Sequence, residues 1–187
     1  PGSEVKISDE GEILLKCEAM MEGYYLADDK TEEVLKDGFY HTGDAGHVDE
    51  DGFIKITGRI KDNFKTLKGE FVEPAKIEGL ISQNTDVEQI CVVGLGLVQP
   101  IGLVVLSEAA REKSKHEVTS GLNNTLDDVN NALKSHEIIN GLVVVKEEWT
   151  PENGFLTPTL KIKRDQVSGH YKDLIEQHAE SKYVIWA

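Results

Sequence analysis

Three short strings in this chain carry side chains that can do chemistry: Thr42-Gly43-Asp44, Gly58-Arg59-Ile60-Lys61-Asp62 and Leu156-Thr157-Pro158-Thr159-Leu160-Lys161. Asp44 follows a glycine at a strand-to-loop transition, and an ionised carboxylate there offers two acceptor oxygens at a spacing suited to the vicinal hydroxyls of a ribose. Arg59 adds a planar donor whose charge is permanent. Lys161 ends a polar loop, and a flexible ammonium can bridge two anions and hold the charge that develops as they react. Each has a plainer alternative. Asp44 could be a turn or cap carboxylate, Arg59 a surface ion pair, and Lys161 a solvated lysine in a basic cluster with Lys163 and Arg164.

The elements that must position these groups fall into two regions. From Glu4 to Thr57 the signals are β: Ile13-Leu14-Leu15 is a short apolar run, and Phe53, Ile54 and Ile56 form another after Asp49-Glu50-Asp51-Gly52. That acidic string reads as a hairpin turn, because its spacing does not fit a helix-loop-helix calcium site. Beyond Lys61 helices alternate with strands. Pro74 suits a first helical turn, followed by an apolar face at Ile77, Leu80 and Ile81. Strands are predicted at Gln89 to Val93, Ile101 to Leu106 and Leu142 to Val145. Val118, Leu122, Leu126, Val129 and Leu133 trace a helical stripe, weakened near its start by Gly121. A last helix is predicted from Asp165 as cap, with Val167, Tyr171, Leu174, Ile175 and His178 on one side. Gly94-Leu95-Gly96 reads as a turn, and Tyr183 to Trp186 as an apolar end that packs on the domain. The predicted fold class is α+β: a β-rich segment over 1–60, then a small domain over 61–187 with a short sheet flanked by helices.

A chain of 187 residues is long enough for a core of its own, and 39% hydrophobic with 29% charged residues is a globular composition. No apolar run approaches a membrane span and no basic-then-apolar leader opens the chain, so the expected setting is cytoplasmic, with peripheral membrane contact left open. The net charge of −14 argues against nucleic acid as a partner. It also means that a nucleotide must rely on local cations such as Arg59, Lys161, Lys163 and Arg164. Cys17 and Cys91 lie in apolar, strand-like runs and read as buried thiols. The 6 histidines lack the spacing of a helical zinc site, so no metal is assigned. Asn123-Asn124-Thr125 fits a glycosylation acceptor pattern that is incidental in a cytosolic setting.

In their order and separation the three strings resemble the carboxy-terminal part of the AMP-forming acyl-adenylating superfamily, most of all long-chain fatty acyl-CoA synthetases. Gly11-Glu12-Ile13 and Gly23-Tyr24-Tyr25 also resemble the last β-rich subdomain of that family's large domain. The resemblance implies that Asp44 and Arg59 contact the ribose of ATP or AMP, and that Lys61 is the hinge about which a carboxy-terminal lid rotates. It implies that Lys161 serves attack of the fatty acid carboxylate on ATP. Lys68-Gly69-Glu70-Phe71 resembles the loop lining the CoA tunnel, with Lys68 where a second small residue is usual. The common family string Thr-x-Ser-Gly-Lys is here Thr157-Pro158-Thr159-Leu160-Lys161, a departure shared with the long-chain synthetases. Further implied are Mg²⁺ bound through an upstream region, and a phosphate loop and acyl pocket upstream of Pro1, so that the chain reads as a fragment inactive by itself. Two rivals stay open: an adenylating enzyme that loads a carrier-protein thiol, and a non-catalytic nucleotide-binding or regulatory module.

Overall fold

A computed structural model describes residues 2–187, which divide into two compact units, one ending at Asp62 and one running from Asn63 to Ala187. The first unit is an antiparallel sheet. Strands β1 (Ser3–Ile7) and β2 (Glu12–Cys17) form a hairpin, and a short helix α1 (Asp28–Val34) leads into β3 (Leu35–Lys36), β4 (Phe39–Val48) and β5 (Ile54–Arg59). The long β4 is its axis, pairing with β2 along one edge and with β3 and then β5 along the other. Asp49-Glu50-Asp51-Gly52 makes the β4–β5 turn. Asp49 Oδ1 accepts the amides of Asp51 at 3.1 Å and Phe53 at 2.8 Å, and these bonds to the charged form, led by Phe53, lower the Asp49 pKa. The core is thin, with Ile13, Phe39 and Ala45 buried while Phe53 and Ile56 of the β5 arm stay exposed.

The second unit opens with a hairpin, β6 (Phe64–Lys65) and β7 (Phe71–Val72). Helix α2 (Pro74–Ile81) follows with Pro74 in its first turn, where a missing N–H costs nothing. Then come β8 (Val87–Val93), β9 (Ile101–Leu106), α3 (Glu108–Arg111), α4 (Lys115–Ala132), β10 (Gly141–Val145), α5 (Arg164–His170), α6 (Lys172–His178) and β11 (Tyr183–Trp186). The sheet order is β11-β10-β9-β8, with β8 antiparallel to β9 and the other pairs parallel.

Every residue of β9 and β10 is buried. Sheets covered on both faces need apolar side chains pointing both ways, which is why Ile-Gly-Leu-Val-Val-Leu and Gly-Leu-Val-Val-Val read as continuous apolar runs. One face packs Ile90, Val92, Val104 and Leu142 under α2 and α4 through Ile77, Ile81, Leu122 and Leu126. The opposite face packs Cys91, Leu103, Val143 and Val145 against Trp149, Phe155, Val167 and Ile175.

Tyr183–Trp186 packs on the domain as expected, and does so as the fourth strand of the sheet, pairing parallel with β10. The last helix is two helices: Tyr171 sits at φ −93°, ψ 17°, off helical geometry, and divides α5 from α6. Asp165 lies in the first turn of α5, and Lys163 is the residue at the cap position.

Candidate active site

In the first unit Thr42-Gly43-Asp44 is a bulge. Leu14 pairs with His41 and Glu12 pairs with Ala45, so β4 spends Thr42, Gly43 and Asp44 opposite the single residue Ile13. Bulges re-aim side chains and leave ladder groups to be satisfied otherwise. The Thr42 hydroxyl donates to the Ile13 carbonyl at 2.8 Å and accepts the Asp44 amide at 3.0 Å. Gly43 takes φ +70°, a conformation that favours glycine, and its amide donates to Glu12 Oε1 at 2.8 Å. Across the ladder Asp44 faces Arg59 of β5, whose Nη1 donates to Asp44 Oδ1 and, at 3.3 Å, to the Thr42 carbonyl. Hydrogen bonding to Asp44 pushes the Arg59 pKa up.

The pair stands at the surface, with 31% of the Asp44 side chain and 61% of Arg59 exposed. A carboxylate has about four lone-pair sites, so one bond from Arg59 leaves acceptor capacity facing outward. The Tyr40 phenol is near by; its pKa is raised first by a hydrogen bond with Tyr24 and then by burial. Lys61 is exposed in a 3-10 turn, Ile60–Asp62, at the end of this unit.

In the second unit Lys161 sits at the foot of a tight loop. Leu156 bridges Ile162 antiparallel, the Thr157 amide donates to the Lys161 carbonyl at 2.8 Å, and the Leu160 amide donates to the Thr157 carbonyl at 2.9 Å. The Thr157 hydroxyl accepts the Lys161 amide at 3.0 Å and shares a hydrogen bond with the Thr159 hydroxyl at 3.0 Å. Lys161 itself is exposed, and among the described residues its ammonium has no ion-pair or hydrogen-bond partner.

Leu160 is held at φ +61° with 69% of its surface exposed. That backbone explains the glycine in the common form of the string, since a side chain in the left-handed region costs about 1–2 kcal/mol. Leu160→Gly is therefore expected to stabilise this unit by a net ~0.5–1 kcal/mol, once glycine's extra unfolded-state entropy is subtracted. Urea unfolding measures it; a loss of stability would mean that the Leu160 side chain contributes packing that outweighs the strain.

Arg164 departs from the basic cluster expected of it. Its Nη1 and Nη2 donate to Glu78 Oε1 and Oε2 at 2.6 and 2.9 Å, and Nη1 also donates to the Val92 carbonyl at 2.7 Å. Glu78 Oε1 in turn accepts the Val92 amide at 2.7 Å. Both side chains are largely buried, at 14% and 16% exposed. Strand β8 is an edge of its sheet, so this fork-shaped pair satisfies backbone groups that the ladder leaves open. The positive charge available around the loop is that of Lys161 and Lys163, both exposed.

Lys68, Gly69 and Glu70 form the exposed tip of the β6–β7 hairpin, where Gly69 sits at φ +81° and donates to the Thr66 carbonyl at 2.9 Å. Leu67 and Phe71 flank it, 69% and 58% exposed, and the Lys65 ammonium lies 4.5 Å from the Phe71 ring centre. No hydrogen bond or ion pair among the described residues joins this tip to the Lys161 loop. Among the described residues no group of three or more His, Cys, Asp or Glu side chains could hold a metal ion, and no helix is long and apolar enough to cross a membrane.

The fold matches part of known adenylation domains. The adenylation domain of a carboxylate reductase from Mycobacterium chelonae superposes with a TM-score of 0.82 at 28% identity, over 95% of this chain and 31% of that one. The corresponding domain of a carboxylic acid reductase from Segniliparus rugosus, solved with AMP and a co-purified carboxylic acid, gives 0.79 at 27% identity over 95% and 31%. Residues 61–182 match the AMP-binding enzyme C-terminal domain, and the chain belongs to that family. Among curated proteins it is 36% identical to long-chain-fatty-acid–CoA ligase 5 of Mus musculus over 94% of its length, and 31% identical to long-chain-fatty-acid–CoA ligase FadD15 of Mycobacterium tuberculosis over 94%. It spans 28% and 32% of the lengths of those two relatives.

Proposed function

We propose that this chain is the carboxy-terminal portion of an AMP-forming long-chain fatty acid–CoA ligase, working in the cytoplasm. In the first half-reaction a fatty acid carboxylate oxygen attacks the α-phosphorus of ATP, and the bond to the pyrophosphate leaving group breaks. In the second the CoA thiol attacks the acyl carbon, the bond to AMP breaks, and the thiol proton leaves to solvent. The observation that carries this reading is the exposed Lys161 ammonium, without an ion-pair or hydrogen-bond partner among the described residues, on a braced loop of an AMP-binding family domain.

Lys161 is assigned to the first half-reaction alone. Carboxylate and phosphate are both anionic, and a cation delivered between them stabilises the charge that grows as they join. Asp44 is assigned to the ribose hydroxyls, held in aim by Arg59. Lys61, an exposed residue in a single 3-10 turn, is assigned the backbone rotation that exchanges the lid's working faces. The tip at Lys68, Gly69 and Glu70 is assigned to the pantetheine arm of CoA, since Gly69 allows close backbone approach and Leu67 and Phe71 offer apolar walls. ATP carries Mg²⁺ as its companion ion, and the described residues offer no cluster of carboxylates or histidines to hold it.

The structural neighbours include an adenylation domain joined to a carrier domain in the Segniliparus carboxylic acid reductase, which favours a carrier-protein thiol as the second reading of the acceptor. Both are resolved on the intact enzyme. Exchange of labelled pyrophosphate into ATP should depend on a long-chain fatty acid, and thioester should then form on free CoA. Thioester only on a phosphopantetheinyl carrier would replace the first reading by the second, and no acid-dependent exchange would remove both.

A further inference from the structure

We infer that Glu12 is a positioning residue for nucleotide recognition, acting through the backbone of the Thr42-Gly43-Asp44 bulge; the inference rests on the assignment of Asp44 to the ribose. Glu12 lies on β2 and its side chain is 17% exposed. One of its oxygens is spent on the bulge and the other on the residue before it: Oε1 accepts the Gly43 amide at 2.8 Å and Oε2 lies 2.9 Å from His41 Nδ1.

A bulge frees ladder amides, and a buried amide left unpaired costs roughly 1–3 kcal/mol. Three donors around Asp44 have side-chain or carbonyl acceptors: the Asp44 amide in the Thr42 hydroxyl, the Thr42 hydroxyl in the Ile13 carbonyl, and the Gly43 amide in Glu12. Removal of Glu12 releases the Gly43 peptide, which is also the one glycine-type backbone position in the string, at φ +70°. The Gly43 amide belongs to the peptide whose carbonyl is that of Thr42, which accepts from Arg59 Nη1 at 3.3 Å, so rotation of that peptide disturbs both the start of the Asp44 segment and the guanidinium that holds the Asp44 carboxylate. Glu12 touches no part of the Asp44 side chain. Its effect is therefore on the aim of that carboxylate, and it should appear as loss of ribose discrimination.

The test is the ratio of kcat/KM for ATP over 2′-deoxy-ATP in the acyl-adenylation step of the intact ligase, alongside kcat at saturating ATP and the thermal midpoint. Glu12→Ala is expected to lower the ratio about tenfold, the equivalent of one charge-assisted hydrogen bond, while kcat at saturation changes little. Glu12→Gln keeps an acceptor for Gly43 and is expected to restore most of the ratio. Asp44→Ala is the control and should collapse it. If Asp44→Ala leaves the ratio untouched, the ribose assignment falls and this inference with it. If Asp44→Ala collapses the ratio and Glu12→Ala lowers only the thermal midpoint, Glu12 is a structural brace and the inference alone is overturned. Should Glu12→Ala fail to fold, Glu12→Asp, one methylene too short to span both partners, decides: a lowered ratio supports the role and a wild-type ratio overturns it.

Discussion

Replacing Lys161 with alanine is expected to slow acyl-adenylate formation by about 10²–10³-fold, the loss typical of removing one preorganised donor from a developing charge. The loss should be confined to one half-reaction. Supplied with acyl-AMP, the variant should still pass the acyl group to CoA at close to the wild-type rate. The reason is geometric as much as electrostatic. The ammonium is exposed and has no partner among the described residues, while the loop beneath it is braced by Thr157 through its hydroxyl and backbone. Truncation at Lys161 therefore removes a charge without disturbing the fold, so the circular dichroism and unfolding midpoint should match wild type. Pyrophosphate exchange and a single-turnover thioester assay, run side by side, measure the two steps. Equal loss in both would show that Lys161 supports binding or folding in general, and its assignment to the first step would fail. Lys161→Arg should recover little, because a planar guanidinium presents its charge differently from a compact ammonium.

The second large effect is expected at Arg164, and there it is on stability. Arg164→Met should cost about 3 kcal/mol, near the lower end of what removing one partner of a buried ion pair costs, since both side chains keep slight solvent access. Three losses coincide: Glu78 is left as a buried carboxylate without its counter-charge, the Val92 carbonyl loses a donor, and the edge strand β8 loses its cover. For a unit of this size that is roughly a 10 °C fall in the thermal midpoint. The discriminating measurement is the double variant. Glu78→Met combined with Arg164→Met should recover part of the loss, because an apolar pair no longer buries an unpaired charge; the Val92 amide then remains the chief orphan. Additive losses would mean that the two side chains contribute independently and that the fork is not a coupled unit. Arg164 begins α5, immediately after the segment that carries Lys161, so Arg164→Met should also lower the acyl-adenylation rate at temperatures where the protein remains folded.

How far the chain could be read in advance depended on whether a signal was local. The strands predicted at Gln89 to Val93, Ile101 to Leu106 and Leu142 to Val145 correspond to β8, β9 and β10, because β-branched runs that are buried on both faces declare themselves without alternation. The stripe from Val118 to Val129 buries one side of α4, and Gly121 does not interrupt it. The start of that helix also carries a local signal that the periodicity alone passes over: Ser114 and Glu117 form a reciprocal capping box. The β4–β5 turn is likewise written in its own residues, through Asp49 and a glycine at φ +85°. By contrast, Tyr183–Trp186 has only four residues, and nothing in them distinguishes a packed tail from a strand until β10 is present as a template.

Composition, periodicity and turn chemistry thus determined the α+β class, most of the elements and the strings on which acid and basic groups stand, since each of these depends on neighbours within a few residues. How those groups are held was decided by contacts between residues far apart in the chain: Glu12 with Gly43 across 31 positions, and Arg164 with Glu78 across 86. The same comparison separates two cations that look alike in sequence. Lys161 keeps its charge at the surface and Arg164 commits its charge to a strand edge, because only the folded sheet brings a carboxylate and an open backbone carbonyl to the second and not to the first.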